Sequence, residues 1–249
     1  MGKYKKYLKV IYSCFFVLSI FLMPEKTYGA DRNFNQTADI SIAENEDYVH
    51  TKQYTWCAYK APDHGYITIT AGNGASAAAG NIRLYDSKKQ TALSGNFSYH
   101  TAGECMVTYG VKKNTVYYIQ INAQGAAVFN CKFTKIKENS GSKKSGAKFL
   151  KKKQLAKGIL EAGSQKADWY KIKLTKKQVL NFYYSGKTNG KIRFTFSGIY
   201  LKTSKRYVTR GGEAVNRAYS AERVQPGIYY VKIEPANVTS SGYYTLKWE

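Results

Sequence analysis

The stretch Pro226-Gly227-Ile228-Tyr229-Tyr230-Val231-Lys232-Ile233 decides the fold. Its Pro-Gly pair sets a turn, and the β-branched and aromatic residues that follow suit a pleated, half-buried strand. A second version occurs earlier, Lys112-Lys113-Asn114-Thr115-Val116-Tyr117-Tyr118-Ile119-Gln120-Ile121. Other landmarks keep step with the pair. Trp56 precedes Ile67 by 11 residues, and Trp169 precedes Leu180 by 11. Trp56 precedes Tyr117 by 61, and Trp169 precedes Tyr229 by 60. Between them, Gly80-Asn81-Ile82-Arg83 matches Gly190-Lys191-Ile192-Arg193. Anchors in one order at similar offsets mark an internal repeat.

Short alternating strands with regular turns, and no convincing amphipathic helix, make this an all-β chain. The expected architecture is two tandem antiparallel β-sandwiches, jelly-roll-like, of roughly 100 residues each. Residues 149–160 are the one stretch whose lysine spacing allows a helical turn or two. The expected division is a signal peptide at 1–30, a first sandwich at 31–137, a Ser/Gly/Lys linker at 138–148 and a second sandwich at 149–249. The leader assignment rests on Lys3, Lys5, Lys6 and Lys9 ahead of an uncharged apolar run from Val10 to Met23. That run is short for a membrane-crossing helix. The expectation is therefore a secreted protein, associated with the cell surface and not integral to a membrane after cleavage.

Within each strand, alternation assigns the faces. Tyr170, Ile172 and Leu174 point one way, Lys171 and Lys173 the other. Cys57, Tyr59 and Ala61 form one inward set, and Phe129, Cys131 and Phe133 another. Past the leader the cysteines are Cys57, Cys105 and Cys131, with no Cys-x-x-Cys spacing to suggest a zinc site. Two readings stand. Cys57 and Cys131 both face inward and would bridge if their strands are neighbours. Alternatively, all three are buried thiols acting as small apolar residues.

Charge is the loudest signal. The chain carries 39 Lys and Arg against 16 Asp and Glu, a net of +23. Lys3, Lys5, Lys6, Lys9, Lys26 and Glu25 leave with the leader, giving +19. Residues 31–137 hold +3 of this and residues 138–249 hold +16. The densest run is Lys143, Lys144, Lys148, Lys151, Lys152, Lys153 and Lys157. Clustered ammonium groups attract polyanions with an affinity that falls as salt rises. Trp56 and Trp169 are candidate stacking platforms for sugar rings. Asp39, Glu44, Glu46 and Asp47 are a candidate calcium cluster, the one cofactor the sequence admits. Catalytic motifs are missing: no Gly-x-Ser-x-Gly, no phosphate loop, no His-Glu-x-x-His, and no histidine beyond His50, His64 and His100.

The residues Asp168-Trp169-Tyr170-Lys171-Ile172-Lys173-Leu174, the Pro226–Ile233 strand and the closing Ser241-Gly242-Tyr243-Tyr244-Thr245-Leu246 resemble the bacterial pre-peptidase C-terminal domain. The second repeat matches over nearly its whole length. The first matches more loosely, with Cys57 where the second has Tyr170 and Asn114-Thr115 in place of Pro226-Gly227. The resemblance implies a secreted jelly-roll-like sandwich that serves as an accessory binding module, calcium- and collagen-binding in some collagenases. The expected role is thus a non-catalytic binding or adhesion module, with a cell-wall polyanion, a glycan or an extracellular protein as partner and no specific nucleic acid. The alternatives are a secreted enzyme's accessory protein or inhibitor, with His64, His100 and Asp63 as its polar cluster, or a calcium-dependent protein-binding module.

Overall fold

The computed structural model describes residues 40–41, 47–50, 55–73, 79–99, 105–124, 127–212 and 214–249. Of 40–41, 47–50, 72–73, 123–124 and 127 it describes the backbone only. Residues 1–30, the expected leader, lie outside the described residues. The first nine strands are β1 (Ile40–Ser41), β2 (Asp47–His50), β3 (Thr55–Lys60), β4 (Gly65–Asn73), β5 (Ala79–Tyr85), β6 (Phe97–Tyr99), β7 (Cys105–Val111), β8 (Val116–Gln124) and β9 (Ala127–Lys135). The next nine are β10 (Lys148–Phe149), β11 (Ala156–Leu160), β12 (Asp168–Leu174), β13 (Asn181–Thr188), β14 (Lys191–Gly198), β15 (Leu201–Thr209), β16 (Asn216–Tyr219), β17 (Gly227–Pro235) and β18 (Gly242–Trp248).

The sheets repeat with a shift of nine strands. A five-stranded sheet β1-β3-β8-β5-β6 faces a four-stranded sheet β2-β9-β4-β7, and β10-β12-β17-β14-β15 faces β11-β18-β13-β16 in the same order. The chain is all-β, with no α-helix among the described residues. Pairing is antiparallel except at one edge of each five-stranded sheet, where β1 lies parallel to β3 and β10 parallel to β12. The repeated phrases become β8 and β17, each central in its sheet. Trp56 and Trp169 sit on the strands paired with them, β3 and β12.

Two apolar clusters hold the sandwiches together. One gathers Ile67, Ile69, Ile82, Leu84 and Ile119 with Cys57 and Cys131. The other gathers Ile172, Phe194, Phe196, Val231 and Leu246 with Trp248. Each fully buried side chain of this size contributes about 1.5–3 kcal/mol. The doubled tyrosines divide their labour by pleat. Tyr117 and Tyr229 are buried. Tyr229 Oη donates to the Gln225 carbonyl at 2.6 Å, and Tyr117 Oη accepts from the Lys112 amide at 2.9 Å. Each ring is thus tied to the turn that precedes its strand. Tyr118 and Tyr230 point outward.

The sandwiches meet mainly through their four-stranded sheets, where β7 lies against β11, β13 and β18. The Ala162 amide donates to the Gly110 carbonyl at 2.9 Å, and the rings of Tyr66 and Tyr243 approach to 5.0 Å. Gly110 is required here, because a Cβ would strike the Leu160 carbonyl oxygen. At the edge of this joint His64 Nδ1 lies 3.4 Å from Glu161 Oε1.

Two expectations need correction. Cys57 and Cys131 form no disulfide. Facing inward did not make their strands neighbours: β3 and β9 belong to opposite sheets of the first sandwich. Residues 149–160 form no helical turn; they pass from β10 through a lysine turn, with Lys153 at φ 66°, into β11. Within 138–148 the chain is not simply solvated. A 3-10 turn spans Lys144–Gly146, and Gly141 exchanges backbone hydrogen bonds with Trp169 at 2.7 and 3.1 Å.

Candidate functional site

The outer face of the second five-stranded sheet carries a regular set of cationic and aromatic side chains. Alternation puts Ile172, Val231 and Phe194 into the core and leaves their neighbours outside. Register then aligns them across strands. One row runs Trp169 (β12), Lys232 (β17), Thr195 (β14), Lys205 (β15). The next runs Phe149 (β10), Lys171 (β12), Tyr230 (β17), Ser197 (β14). A third holds Glu234 (β17), Arg193 (β14) and Tyr207 (β15).

Rings and ammonium groups are interleaved on this face. Lys171 Nζ stands 4.4 Å from the Phe149 ring centroid, Lys144 Nζ 4.8 Å from Tyr230, Lys191 Nζ 5.4 Å from Tyr207 and Lys232 Nζ 5.8 Å from Trp169. Such contacts are worth about 0.5–1 kcal/mol each at exposed sites. They hold flexible lysines upright over the sheet. One acid interrupts the field. Arg193 Nε donates to Glu234 Oε1 at 2.9 Å, and Lys232 pairs with Oε2. Partial burial opposes ionisation of Glu234, but these two cations prevail and hold its carboxyl below the usual range.

The seven lysines expected to form one patch are all exposed but are dealt to different places. Lys144 reaches over the face, and Lys143 flanks it at the start of the 3-10 turn. Lys148 lies on β10 at the sheet edge, beside Tyr170 in register. Lys151 and Lys152 border a cleft at one end of the sandwich, and the Lys153 amide donates to the Trp248 carbonyl at 2.8 Å. Lys157 lies on β11, in the other sheet. The face is completed by Lys171, Lys232, Arg193 and Lys205, which a linear run cannot gather. The alternation of cations with core residues along β12, β17 and β14 was the signal for Lys171, Lys232 and Arg193 in the sequence.

Trp169 lies on this face. Trp56 lies on the corresponding face of the first sandwich, edge-on to Tyr85 at 5.0 Å and to Tyr118 at 6.4 Å, with Lys89 Nζ 5.5 Å from its centroid. Each tryptophan therefore already carries a lysine. Of the candidate calcium residues, Asp39, Glu44 and Glu46 lie outside the described residues, and of Asp47 only the backbone is described, in β2. His100 is also outside them. Asp63 is engaged by Lys135 and Lys113, which with the His64 amide hold its carboxyl low, Lys135 foremost.

A second polar cluster lies under residues 138–140. Ser140 Oγ is 2.8 Å from Asp168 Oδ1 and 3.2 Å from Glu138 Oε1. Tyr244 Oη donates to Asp168 Oδ2 at 2.7 Å, which leaves Tyr170 Oη, 3.1 Å away, to donate to Tyr244. The single hydroxyl proton of Ser140 cannot serve two carboxylates fully. Burial first, then the charge of Asp168, raises the Glu138 carboxyl to about 8, so the pair holds a proton between them.

No protein-family model and no curated protein matches the chain. Among solved structures it is similar to the pre-peptidase C-terminal domain of collagenase from Bacillus anthracis, at 14% identity over 47% of this chain and 100% of that one, TM-score 0.34. It is similar to the CBM22-1-CBM22-2 tandem domain of Paenibacillus barcinonensis Xyn10C, at 9% identity over 84% and 92%, TM-score 0.27. It is also similar to the M60 catalytic domain with CBM51-1 and CBM51-2 of Clostridium perfringens ZmpB, at 8% identity over 83% and 34%, TM-score 0.26. This chain thus spans about a third of the ZmpB chain. The fold is defined by strand order and core. No helix among the described residues is long and apolar enough to cross a membrane.

Proposed function

We propose that the chain is a secreted, non-catalytic binding module that holds an extended anionic polymer, an acidic glycan of the cell surface or matrix, on the outer face of its second five-stranded sheet. The observation that carries this reading is the set of four ring–ammonium pairs spread across that face. Strands stand about 4.8 Å apart, and residues on one face recur about every 6.6 Å along a strand. Cations therefore repeat at a spacing that suits a polymer with one charge per sugar or per phosphate. The rings position those cations, each carrying one ammonium group over the sheet. The motif resemblance to pre-peptidase C-terminal domains supports the same class of role.

The test is retention of the protein on an immobilised acidic glycan and on isolated cell walls, across a salt series. The expected result is retention at low salt that is lost at high salt, with weakened retention for the Lys144→Gln/Lys171→Gln/Lys205→Gln variant. Salt-insensitive retention, or retention unchanged in the variant, overturns the reading.

A further inference from the structure

A separate cleft of about 580 Å³ opens at one end of the second sandwich. It forms where β12 ends at Leu174 in one sheet and β18 ends at Trp248 in the other. Leu174, Leu150 and Trp248 are almost wholly buried and make the floor continuous with the core. Phe149 forms an apolar wall and is 56% exposed. The Trp248 indole N–H is satisfied by the Leu150 carbonyl at 2.7 Å, so the ring is fixed in place. On the rim stand Lys151, Lys152, Lys173 and Lys176, and no acidic residue lines the cleft. The nearby Glu249 carboxylate pairs with Lys247 at 2.8 Å and also feels the charges of Lys153 and Lys152, which leaves Lys151, Lys173 and Lys176 as the rim cations it does not engage. The lysine turn is held in shape: the Lys151 amide donates to Gln154 Oε1 at 3.0 Å, and Lys153 is tied to Trp248.

The volume lies within the range of small-molecule sites. Apolar walls under a ring of ammonium groups match a ligand with the opposite halves, an apolar body and an anionic head. A neutral apolar ligand would leave the four lysines without a function. An inorganic anion would leave the floor empty. We propose that the cleft binds a single soluble anionic amphiphile, a hydrocarbon chain or ring carrying a phosphate, sulfate or carboxylate. The site shares Phe149 with the polymer-binding face and is otherwise its own: the head group is held by the rim lysines and the body lies on Phe149 and Trp248.

Calorimetric titration of the full chain with octyl phosphate, kept below its micelle concentration, tests this. Inorganic phosphate, octyl glucoside and vesicles of anionic lipid are the comparison arms. The expected result is octyl phosphate binding with a negative heat-capacity change, and about tenfold or more tighter than phosphate or octyl glucoside. Phe149→Ala, and separately Lys151→Gln/Lys152→Gln, should each weaken it about fivefold. Lys144→Gln/Lys205→Gln, on the sheet face, should leave it unchanged. All of these residues are exposed, and unchanged circular dichroism of each variant checks that it folds. Octyl phosphate no tighter than phosphate, octyl glucoside bound equally well, binding to vesicles alone, or affinity indifferent to the cleft variants would each overturn the proposal. The wild-type arms decide it even if a variant fails to fold.

Discussion

The two five-stranded sheets share one strand order yet present different outer faces. Register lets them be compared residue by residue. Trp56, Gln120 and Arg83 of the first occupy the row held by Trp169, Lys232 and Thr195 in the second. Ala58, Tyr118 and Tyr85 occupy the row held by Lys171, Tyr230 and Ser197. In the first sheet the rings gather into one cluster, and a single lysine from the β5–β6 turn, Lys89, reaches over both Trp56 and Tyr118. In the second the rings stand apart, each with its own lysine. An alanine and a glutamine in the first sheet are lysines in the second, while Arg83, whose guanidinium stands 5.4 Å from the Tyr85 centroid, gives way to Thr195, so the exchange moves the cations onto β12 and β17 without altering a strand.

The largest expected effect removes the lattice. Lys144→Gln/Lys171→Gln/Lys205→Gln should weaken binding to an acidic glycan about tenfold or more at low salt, by about 0.5 kcal/mol per exposed charge, and more where the charges act together. The loss should shrink as salt rises, as biolayer interferometry across a salt series would show. The reverse exchange is a sharper probe. Ala58→Lys/Gln120→Lys should give the first face a lattice of its own and strengthen glycan binding about two- to fivefold at low salt. No gain would mean that the ligand recognises something other than repeated charge.

Stability offers a second way to separate the halves. Tyr170 and Asp168 of the second sandwich stand where the first has Cys57 and Thr55. Tyr244→Phe deletes the donor to Asp168 and should cost about 1–3 kcal/mol, seen in thermal unfolding as a fall of about 2–4 °C per kcal/mol. The proton shared with Glu138 adds a pH dependence of known sign. A carboxyl raised in the folded protein stays protonated there while its unfolded counterpart ionises. Its contribution is therefore complete below about pH 4.5 and is lost as pH rises towards about 8. Melting temperature should fall across that window, and Glu138→Gln should flatten the slope. The Glu138 residue is exposed although its carboxyl is shielded beside Asp168, so solvent screens part of this effect and it is smaller than that of Tyr244→Phe.

The smallest effect concerns chemistry alone. Burial pushes the Cys57 thiol up to about 12. At pH 8 iodoacetamide should spare Cys57 until the protein unfolds, as peptide mass spectrometry would show, and non-reducing digests should contain no Cys57–Cys131 peptide.

The sequence displayed the repeat because period-two alternation and Pro-Gly or Lys-Asn turns are local properties, and Trp56, Trp169, Tyr117 and Tyr229 all fell on the corresponding strands. It could not display which strands are neighbours. Cys57 and Cys131 were correctly placed inward, yet inward residues of opposite sheets need not be within bonding reach. The lysine run from Lys143 to Lys157 was read as one patch because it is contiguous in the chain. Folding separates it among a sheet face, an edge, a cleft and the opposite sheet. The lattice is assembled from positions as distant as Lys144 and Lys232, and only cross-strand register brings those together. The parallel edge strands β1 and β10 are two residues long; the alternation of Ile40 and Ile42 marked the first as strand-like, but neither is long enough for its pattern to fix a partner.

The joint between the sandwiches has a consequence for traction. Because the four-stranded sheets form it, the lattice looks away from it, and the Gly110–Leu160 contact lies on the far side of the second core. A polymer tugging on Lys171 and Lys232 would load β12 and β17 along their length, in shear against several hydrogen bonds at once. The grip and the joint thus lie on opposite faces of the second sandwich, so a load on one reaches the other only through the core between them.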